Sequence, residues 1–385
     1  MRCLPNALLG GLLTLTTAFS RAHPATDGYL KHHESHINEL SPHSTKPLKA
    51  RQALPECANK CLRAHFSPSE CSQEGDRCWC SQSEAASKAQ SCVVINCDIH
   101  ETITYESHKA DTCNLPARNN SRELLAAEWS LFAVALLAVL LRLAARYLGT
   151  TPSGWDDVML LVSMSLLTTM MTLQTLMVKN GLGKDVWTVP RESIDLFLLC
   201  QWITILLYVP QVTFVKFSII FLYLRIFPST VSKQFRLLCW IIIAAGVAFI
   251  IIGLLVFAFA CQPASLSWSG LYEHNKDKCV HLPELYYLAT CINLSTDVLI
   301  FVMPIPKVLK LDALSSRNKL ITSIMFLLGL IATVAAGVRI AWVHKFLYTT
   351  NFTYENAEFD VLFNVCLCAL VCTTSAEDLE EYERL

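Results

Sequence analysis

The sequence predicts an all-α protein, in which a seven-transmembrane helix bundle carries a small disulfide-rich helical extracellular domain at the N-terminus. Hydrophobic residues make up 53% of the 385-residue chain and charged residues only 16%, a composition typical of membrane proteins. Most apolar residues fall in seven segments, and eight of the 17 cysteines fall between Cys57 and Cys113. The net charge of −1 provides no basic field, so we expect no nucleic acid partner.

The first 54 residues predict a targeting segment and a linker. Residues 1–22 have a basic start at Arg2, an apolar run from Ala7 to Phe19, and small residues up to Ala22. We interpret them as a signal peptide rather than a first transmembrane helix, because about 13 apolar residues fall short of the roughly 20 that span a bilayer. Residues 23–54 are polar and show no apolar period, which indicates a flexible linker.

Residues 55–115 form the predicted disulfide domain. Its cysteines are an even set among polar residues: Cys57, Cys61, Cys71, Cys78, Cys80, Cys92, Cys97 and Cys113. In an oxidising compartment, such a set stabilises a domain whose hydrophobic core is too small to do so alone. Cys57 and Cys61 are four residues apart on one face of a short helix, so both bridges can point toward the same neighbours. The sequence does not choose among the pairings.

The order and spacing of these cysteines, from Pro55-Glu56-Cys57 to Cys113, resemble the CFEM domain, a module common in fungal extracellular membrane proteins. Some members of that family hold haem, with an aspartate between the third and fourth cysteines as the iron ligand. The resemblance makes Asp76 the candidate ligand, one position away from the family's acid, where this sequence has Gly75. On a helix, a one-residue shift turns a side chain by about 100°, which favours a surface aspartate over a haem ligand.

The membrane domain is predicted to cover residues 124–374. Its apolar segments span about 124–148, 157–178, 194–226, 236–260, 283–305, 319–344 and 359–374. The first six reach the length that crosses a bilayer. The third contains Pro210, and we expect one long kinked or tilted helix because no polar turn divides it. The seventh is short, and an acidic tail follows at 375–385.

The basic residues predict a multi-pass cell-membrane protein with its N-terminus outside. Nine lysines and arginines, including Arg142 and Arg146, belong to the loops and helix ends expected inside, against six expected outside. Cys261 and Cys279 bracket one outside loop as a candidate disulfide. Glycosylation sequons begin at Asn351, in another outside loop, and at Asn119, ahead of the first segment.

Charged residues within the apolar segments are the candidate internal site. Lys216 lies nine residues before Arg225, about 13 Å deep, and Asp297 lies ten residues before Lys307, about 15 Å deep. The matching depths predict an ion pair, or a polar network shared with Asn293, that faces the bundle interior. The alternative is that each residue only satisfies local polar groups and waters.

Three further features have two interpretations each. Arg339, in the outer half of the sixth segment, either faces an outside-opening cavity or snorkels to the outer surface. Asp156 and Asp157 open the second segment, where we favour helix capping over a signalling role. Gly181 and Gly183 follow it and predict a tight exit turn, because their surroundings do not match a phosphate loop.

The membrane half also resembles a known module, on motifs that recur in order along the chain. They are Trp155-Asp156-Asp157, Gly181-Leu182-Gly183-Lys184, Lys216-Phe217-Ser218, Tyr223-Leu224-Arg225-Ile226-Phe227, Cys261-Gln262-Pro263 with Trp268 and Cys279, Asp297 leading to Pro304-Ile305-Pro306, and Gly337-Val338-Arg339. They are similar to the seven-helix, rhodopsin-like module of fungal plant-pathogen-type G-protein-coupled-receptor-like proteins, which is often fused to a CFEM domain. The short seventh segment and acidic tail depart from that family.

These resemblances imply a receptor-like surface protein that contacts membrane lipid, an unidentified extracellular ligand or surface and, by family expectation, a heterotrimeric G protein. Two alternatives are a membrane-tethered haem- or iron-binding protein and a surface adhesion protein without signalling. We predict no enzymatic activity, because the sequence has no convergent nucleophile and base, no HExxH metal motif and no nucleotide loop.

Overall fold

The computed structural model describes a helical protein. It covers residues 54–66, 80, 84–148, 154–226, 233–268, 279–280, 282–303, 333–334, 337–338, 349–357 and 371. These residues belong to one compact unit, Ala53–Leu385. The predicted signal peptide, most of the linker, the acidic tail, Cys71, Asp76, Cys78 and Arg339 lie outside the described residues.

The described residues of the N-terminal domain form three short helices: α1 (Glu56–His65), α2 (Glu84–Asn96) and α3 (Ile99–Cys113). In this described part, disulfides connect Cys57 to Cys97, Cys61 to Cys92, and Cys80, which precedes α2, to Cys113. The two cysteines of α1 therefore bond to partners at or near the end of α2. A small core of Ala58, Val93 and Tyr105 lies between the bridges.

The third helix of this domain is held at both ends. The Asp98 side chain accepts a hydrogen bond from the Ile99 backbone at 2.8 Å, and Glu101 accepts one from the Asp98 backbone at 3.1 Å. This reciprocal pair satisfies backbone donors that a helix start leaves open. At the other end Asn114 has a φ of 50°, the left-handed conformation that commonly ends helices. The capping gives α3 a defined length and direction.

Among the described residues, five helices are long and apolar enough to cross a membrane. They are α4 (Ser121–Leu148), α5 (Trp155–Lys179), α6 (Arg191–Ile226), α7 (Lys233–Ala258) and α8 (Leu282–Val302). Their bounds agree with the first five predicted segments to within three residues. In the sixth and seventh segments the structure describes only 333–334, 337–338 and 371, all of which are helical.

The central element of the described bundle is α6. It runs unbroken through Pro210, as the missing polar turn predicted, and it contacts α5, α7 and α8. The most apolar stretch of α6 is 61% buried, whereas that of α7 is 11% buried, so most of the α7 surface is exposed. A helix that is apolar on every side fits such a central position.

The turn after α5 depends on its glycines. Gly181 and Gly183 have φ values of 124° and 83°, a region that side chains other than glycine rarely occupy. A Cβ at Gly181 would lie 2.7 Å from Val189, and one at Gly183 would lie 2.9 Å from the Ser121 nitrogen. The predicted tight turn is present, and it brings the loop against the start of α4.

Candidate functional site

The structure brings together Lys216 and Asp297, the two charges whose depths match in the sequence. The Lys216 ammonium lies 2.9 Å from Asp297 Oδ1. It also donates hydrogen bonds to the Asn293 backbone oxygen at 2.9 Å, to Asn293 Oδ1 at 2.7 Å and to Thr296 Oγ1 at 2.6 Å. The contacts satisfy the cation with one helical turn of α8.

This network, made of Lys216, Asn293, Thr296 and Asp297, has little contact with solvent or lipid. Only 7% of the Lys216 side chain and 3% of the Asp297 side chain are exposed. Asn293 Nδ2 also donates to Asp297 Oδ2 at 3.4 Å. Burying a single unpaired charge in a membrane interior costs several kcal/mol of free energy. Lys216 and Asp297 can both be buried there because each neutralises the other. The network joins α6 to α8.

A second ionic cluster joins α4 to α5, and it includes two arginines that the sequence analysis counted only as inside charges. The side chains of Arg142 and Arg146 are only 0% and 6% exposed, so both are buried near the end of α4. Arg142 Nη2 lies 2.7 Å from Asp156 Oδ2, and its Nε lies 3.0 Å from Asp157 Oδ1. Arg146 Nη2 lies 3.1 Å from Asp156 Oδ2. The carboxylates of Asp156 and Asp157 lie opposite the last turns of α4, and they compensate the charges of the two buried arginines.

The two aspartates also have a local role. Asp157 Oδ2 accepts a hydrogen bond from the Gly154 backbone at 3.1 Å, so the capping interpretation holds for this residue. The Asp156 backbone oxygen accepts from Ser218 Oγ at 2.8 Å, and Arg225 Nη1 of α6 lies 3.7 Å from Asp156 Oδ1. The cluster of Arg142, Arg146, Asp156, Asp157 and Arg225 therefore reaches three helices, which capping alone does not require.

At the opposite end of the bundle, Asp185 connects three chain segments. It is fully buried and accepts hydrogen bonds from Arg118 Nη2 at 2.9 Å and from the Arg118 backbone at 2.6 Å. Asn351 Nδ2 donates to Asp185 Oδ1 at 2.7 Å. The hydrogen bond to Asp185 raises the pKa of Arg118, whose guanidinium also stacks on the Tyr354 ring at 4.0 Å. The neck before α4, the loop after α5 and residues 349–357 are thereby joined.

The disulfide domain docks onto this junction through α3. Glu106, only 2% exposed, accepts a hydrogen bond from the hydroxyl of Thr350. Arg191, the first residue of α6, donates to Thr104 Oγ1 at 3.0 Å. Ile103 belongs to one apolar cluster with residues of the bundle and its loops, including Leu124, Val186 and Phe352. The domain is thus packed on the bundle by both apolar and buried polar contacts.

The two sequons have different surroundings, and the prediction for Asn351 requires correction. Asn119 is exposed, although its Oδ1 accepts from the Ser121 backbone at 3.0 Å. Asn351 is 6% exposed, and Nδ2, the atom that would carry a glycan, donates to Asp185. Its Oδ1 accepts from the Val186 backbone at 2.9 Å. A glycan on Asn351 is incompatible with these contacts, so only Asn119 stays a glycosylation prediction.

The described cysteines either form disulfides or, as Cys200, Cys239 and Cys291 do, remain free thiols. Cys261 is bonded to Cys279, the pair that brackets the loop between α7 and α8. Cys57, Cys97 and Glu101 are near enough to one another to resemble a metal site, but the two sulfurs already form a disulfide. Nothing in the described part of the chain tests haem binding, because Asp76 lies outside it.

Sequence reasoning missed two features of these sites. Arg142 and Arg146 are one turn apart on the α4 face opposite Asp156 and Asp157. Their four-residue spacing is visible in the sequence, but the sequence analysis used the two arginines only as evidence for membrane orientation. Asp185 and Glu106 carried no signal at all, because their partners are distant in sequence.

These features define a class: a helical-bundle membrane protein with buried ionic networks and a disulfide-bonded helical domain docked on one end. The chain belongs to the fungal rhodopsin domain family, whose model matches residues 141–376. It also carries a CFEM domain, whose model matches residues 50–114. Both resemblances seen in the sequence are confirmed.

One curated relative is described as a SAT4 family membrane protein of Emericella nidulans. It is 26% identical over 177 residues, which are 46% of this chain and 45% of the relative. The chain therefore matches less than half the length of that protein. No solved structure matches the chain.

Proposed function

We propose that this protein is a cell-surface receptor-like protein that senses an extracellular cue through its CFEM domain and passes the change to its helical bundle. The docking of α3 carries the proposal. A domain that served only in adhesion could be joined to the bundle by a flexible linker and would need no packed contact with it. Instead, Glu106 and Ile103 of α3 are buried against the loop after α5 and residues 349–357.

The proposal includes a multi-pass topology with the N-terminus outside the cell. The disulfides of the CFEM domain and of the Cys261–Cys279 loop support this orientation, since such bonds persist in oxidising compartments. The buried cluster of Arg142, Arg146, Asp156, Asp157 and Arg225 then lies at the cytoplasmic end. Arg142 and Arg146 no longer count as loop charges, so the disulfides carry the argument more than the charge bias does.

The route for a signal follows the buried polar contacts. A shift of α3 would act on Thr350 and on the hydrogen bonds around Asp185, which join the neck before α4 and residues 349–357 to the loop between α5 and α6. Inside the membrane, α6 is joined to α8 by Lys216 and Asp297 and to α5 by Ser218. Packed interfaces of this kind switch between discrete arrangements rather than deform continuously. Coupling to a heterotrimeric G protein belongs to the proposal as a family expectation.

The experiment compares cells that lack the chain with cells that express it or a variant at equal surface level. Each line is exposed to contact with a hydrophobic surface, to external acidification and to haemin, while cyclic-nucleotide and calcium levels are recorded. We expect at least one chain-dependent response, which Glu106→Ala and Thr350→Val should both abolish because each breaks the α3 contact. Glu84→Ala is the matched control, since that CFEM side chain is 83% exposed and should leave the response unchanged.

Equal levels with and without the chain, across every cue, would contradict the receptor proposal and favour adhesion. A response that survives both contact variants would contradict the route through α3. A haemin-induced Soret shift of the purified full chain, without any cytoplasmic response, would instead favour the haem-binding alternative.

A further inference from the structure

A group of basic residues lies where α6 ends and α7 begins. Lys233 is exposed, Arg236 is partly exposed, and the Arg225 side chain is 21% exposed. Arg236 Nη1 donates to the Leu224 backbone oxygen at 3.0 Å, which fixes its guanidinium against the last turn of α6. The three cations therefore lie close together at one edge of the bundle.

The neighbouring ionic cluster adds to the positive charge. Its two carboxylates, Asp156 and Asp157, face three guanidiniums, those of Arg142, Arg146 and Arg225. The shortest contacts of both aspartates are to the two arginines of α4, whereas Arg225 is more distant at 3.7 Å. The cluster therefore contains one more positive than negative side chain, and Arg225 is its member on α6, the helix that Arg236 contacts.

An exposed apolar surface continues directly from these cations along α7. Lys233, Arg236, Leu237 and Trp240 are three, four and seven residues apart in the helix, so they share one face. Leu237 is 62% exposed and Trp240 is 52% exposed. The Trp240 ring also meets Phe221 of α6 edge to face, with centroids 6.4 Å apart.

Aromatic residues at this end mark a membrane–water boundary. Tyr147, at the end of α4, is 90% exposed, and Trp155, at the start of α5, is 67% exposed. Tyrosine and tryptophan are enriched at the level of lipid headgroups. The basic group is then at headgroup depth, and Leu237 and Trp240 are at the depth where acyl chains begin.

We propose that Arg225, Lys233 and Arg236, together with Phe221, Leu237 and Trp240, form a binding groove for an anionic diacyl phospholipid such as phosphatidylserine. The cations match the headgroup phosphate and carboxylate, and the apolar face matches an acyl chain. An acidic peptide, such as the chain's own tail, would use the cations but not the apolar face. The assignment to the anionic inner leaflet rests on the proposed topology, but the groove itself does not.

The test uses the full chain purified in detergent, where lipid reaches both ends of the bundle and orientation does not matter. Native mass spectrometry counts the phosphatidylserine and phosphatidylcholine molecules that stay bound during a titration. We expect preferential retention of phosphatidylserine, with affinity reduced about fivefold for each cation removed in Lys233→Gln and Arg236→Gln. Trp240→Ala should weaken both lipids without abolishing the preference.

Lys179→Gln is the matched control, because Lys179 is an exposed lysine at the opposite membrane edge, at the end of α5. It should leave the phosphatidylserine preference unchanged. Equal retention of the two lipids by the unmodified chain would overturn the proposal, and so would an undiminished preference in Lys233→Gln and Arg236→Gln. If the chain prefers phosphatidylserine only after the acidic tail is removed, the tail is the natural occupant of the groove and the lipid proposal is wrong. None of these results depends on whether the protein signals.

Discussion

At the residue scale, several buried charges in the described part of the bundle lie against opposite charges on a neighbouring helix. Lys216 is inside an apolar helix, and its ammonium reaches Asp297 and three polar oxygens of α8. Asp156 is likewise surrounded by Arg142 and Arg146. Such pairs add little net stability over an apolar pair, but removing one partner leaves an uncompensated charge. Their main effect is therefore on which helices meet and in which register.

A double-mutant cycle on Lys216 and Asp297 tests this reasoning. Lys216→Met or Asp297→Leu alone should lower the free energy of unfolding by about 3–5 kcal/mol, because each strands the other charge. The double variant should recover most of that loss. Unfolding is measured by denaturant titration in detergent, and Lys179→Met, at an exposed position, is the control. Additive losses in the double variant would show that the two residues act independently.

At the element scale, close packing of α7 on α6 depends on two glycines one heptad apart. A Cβ at Gly246 would lie 2.5 Å from the Phe217 ring, and one at Gly253 would lie 3.0 Å from a Val209 methyl group. Small residues at such positions let membrane helices approach closely, where dispersion and weak hydrogen bonds act in place of the hydrophobic effect. Most of the remaining α7 surface is exposed. The contact of Gly246 and Gly253 with α6, which we call the glycine seam, is therefore the main constraint on the position of α7.

Leucine at these glycines should separate the helices. We expect Gly246→Leu to cost about 1–3 kcal/mol of stability, as overpacking does, and Gly253→Leu to cost less because a methyl group can move aside more easily than a ring. Thermal unfolding in detergent measures both. Val247→Leu, at a position that is 44% exposed, is the control and should be neutral. Equal stability of Gly246→Leu and Val247→Leu would argue against the glycine seam.

At the scale of the whole molecule, one set of contacts holds the CFEM domain, the loop after α5 and residues 349–357 together. Asp185, Asn351 and Arg118 join three segments that are far apart in the sequence. This arrangement packs the CFEM domain against one end of the bundle. It also gives the two sequons different expected modifications, because Asn119 is exposed whereas Asn351 is buried in the junction.

Glycosidase treatment of the chain from its native host checks this organisation. Asn119→Gln should remove the glycosidase-sensitive mobility shift, since Asn119 is exposed on the side proposed to be extracellular. Asn351→Gln should leave the shift intact but lower surface expression, because it breaks the contacts to Asp185 and Val186. Loss of the shift in Asn351→Gln alone would contradict the buried junction, and the absence of any shift would count against the proposed orientation.

Much of the fold follows from local sequence. Apolar length sets the helix bounds of α4 to α8 to within three residues, and the spacing of Cys57 and Cys61 places both on one face of α1. The helical rise per residue also predicts that Lys216 and Asp297 lie at similar depths, because distance along a helix is proportional to residue number. These properties need no knowledge of neighbours.

Only the tertiary structure decided which groups meet across the bundle. Disulfide pairing, the burial of Arg142 and Arg146, and the engagement of Asn351 by Asp185 each depend on partners brought together by folding. A solvated arginine at a helix end and one buried against aspartates have the same local sequence pattern. The difference lies in the position of the opposing helix, and that position is set by packing rather than by the composition of either helix.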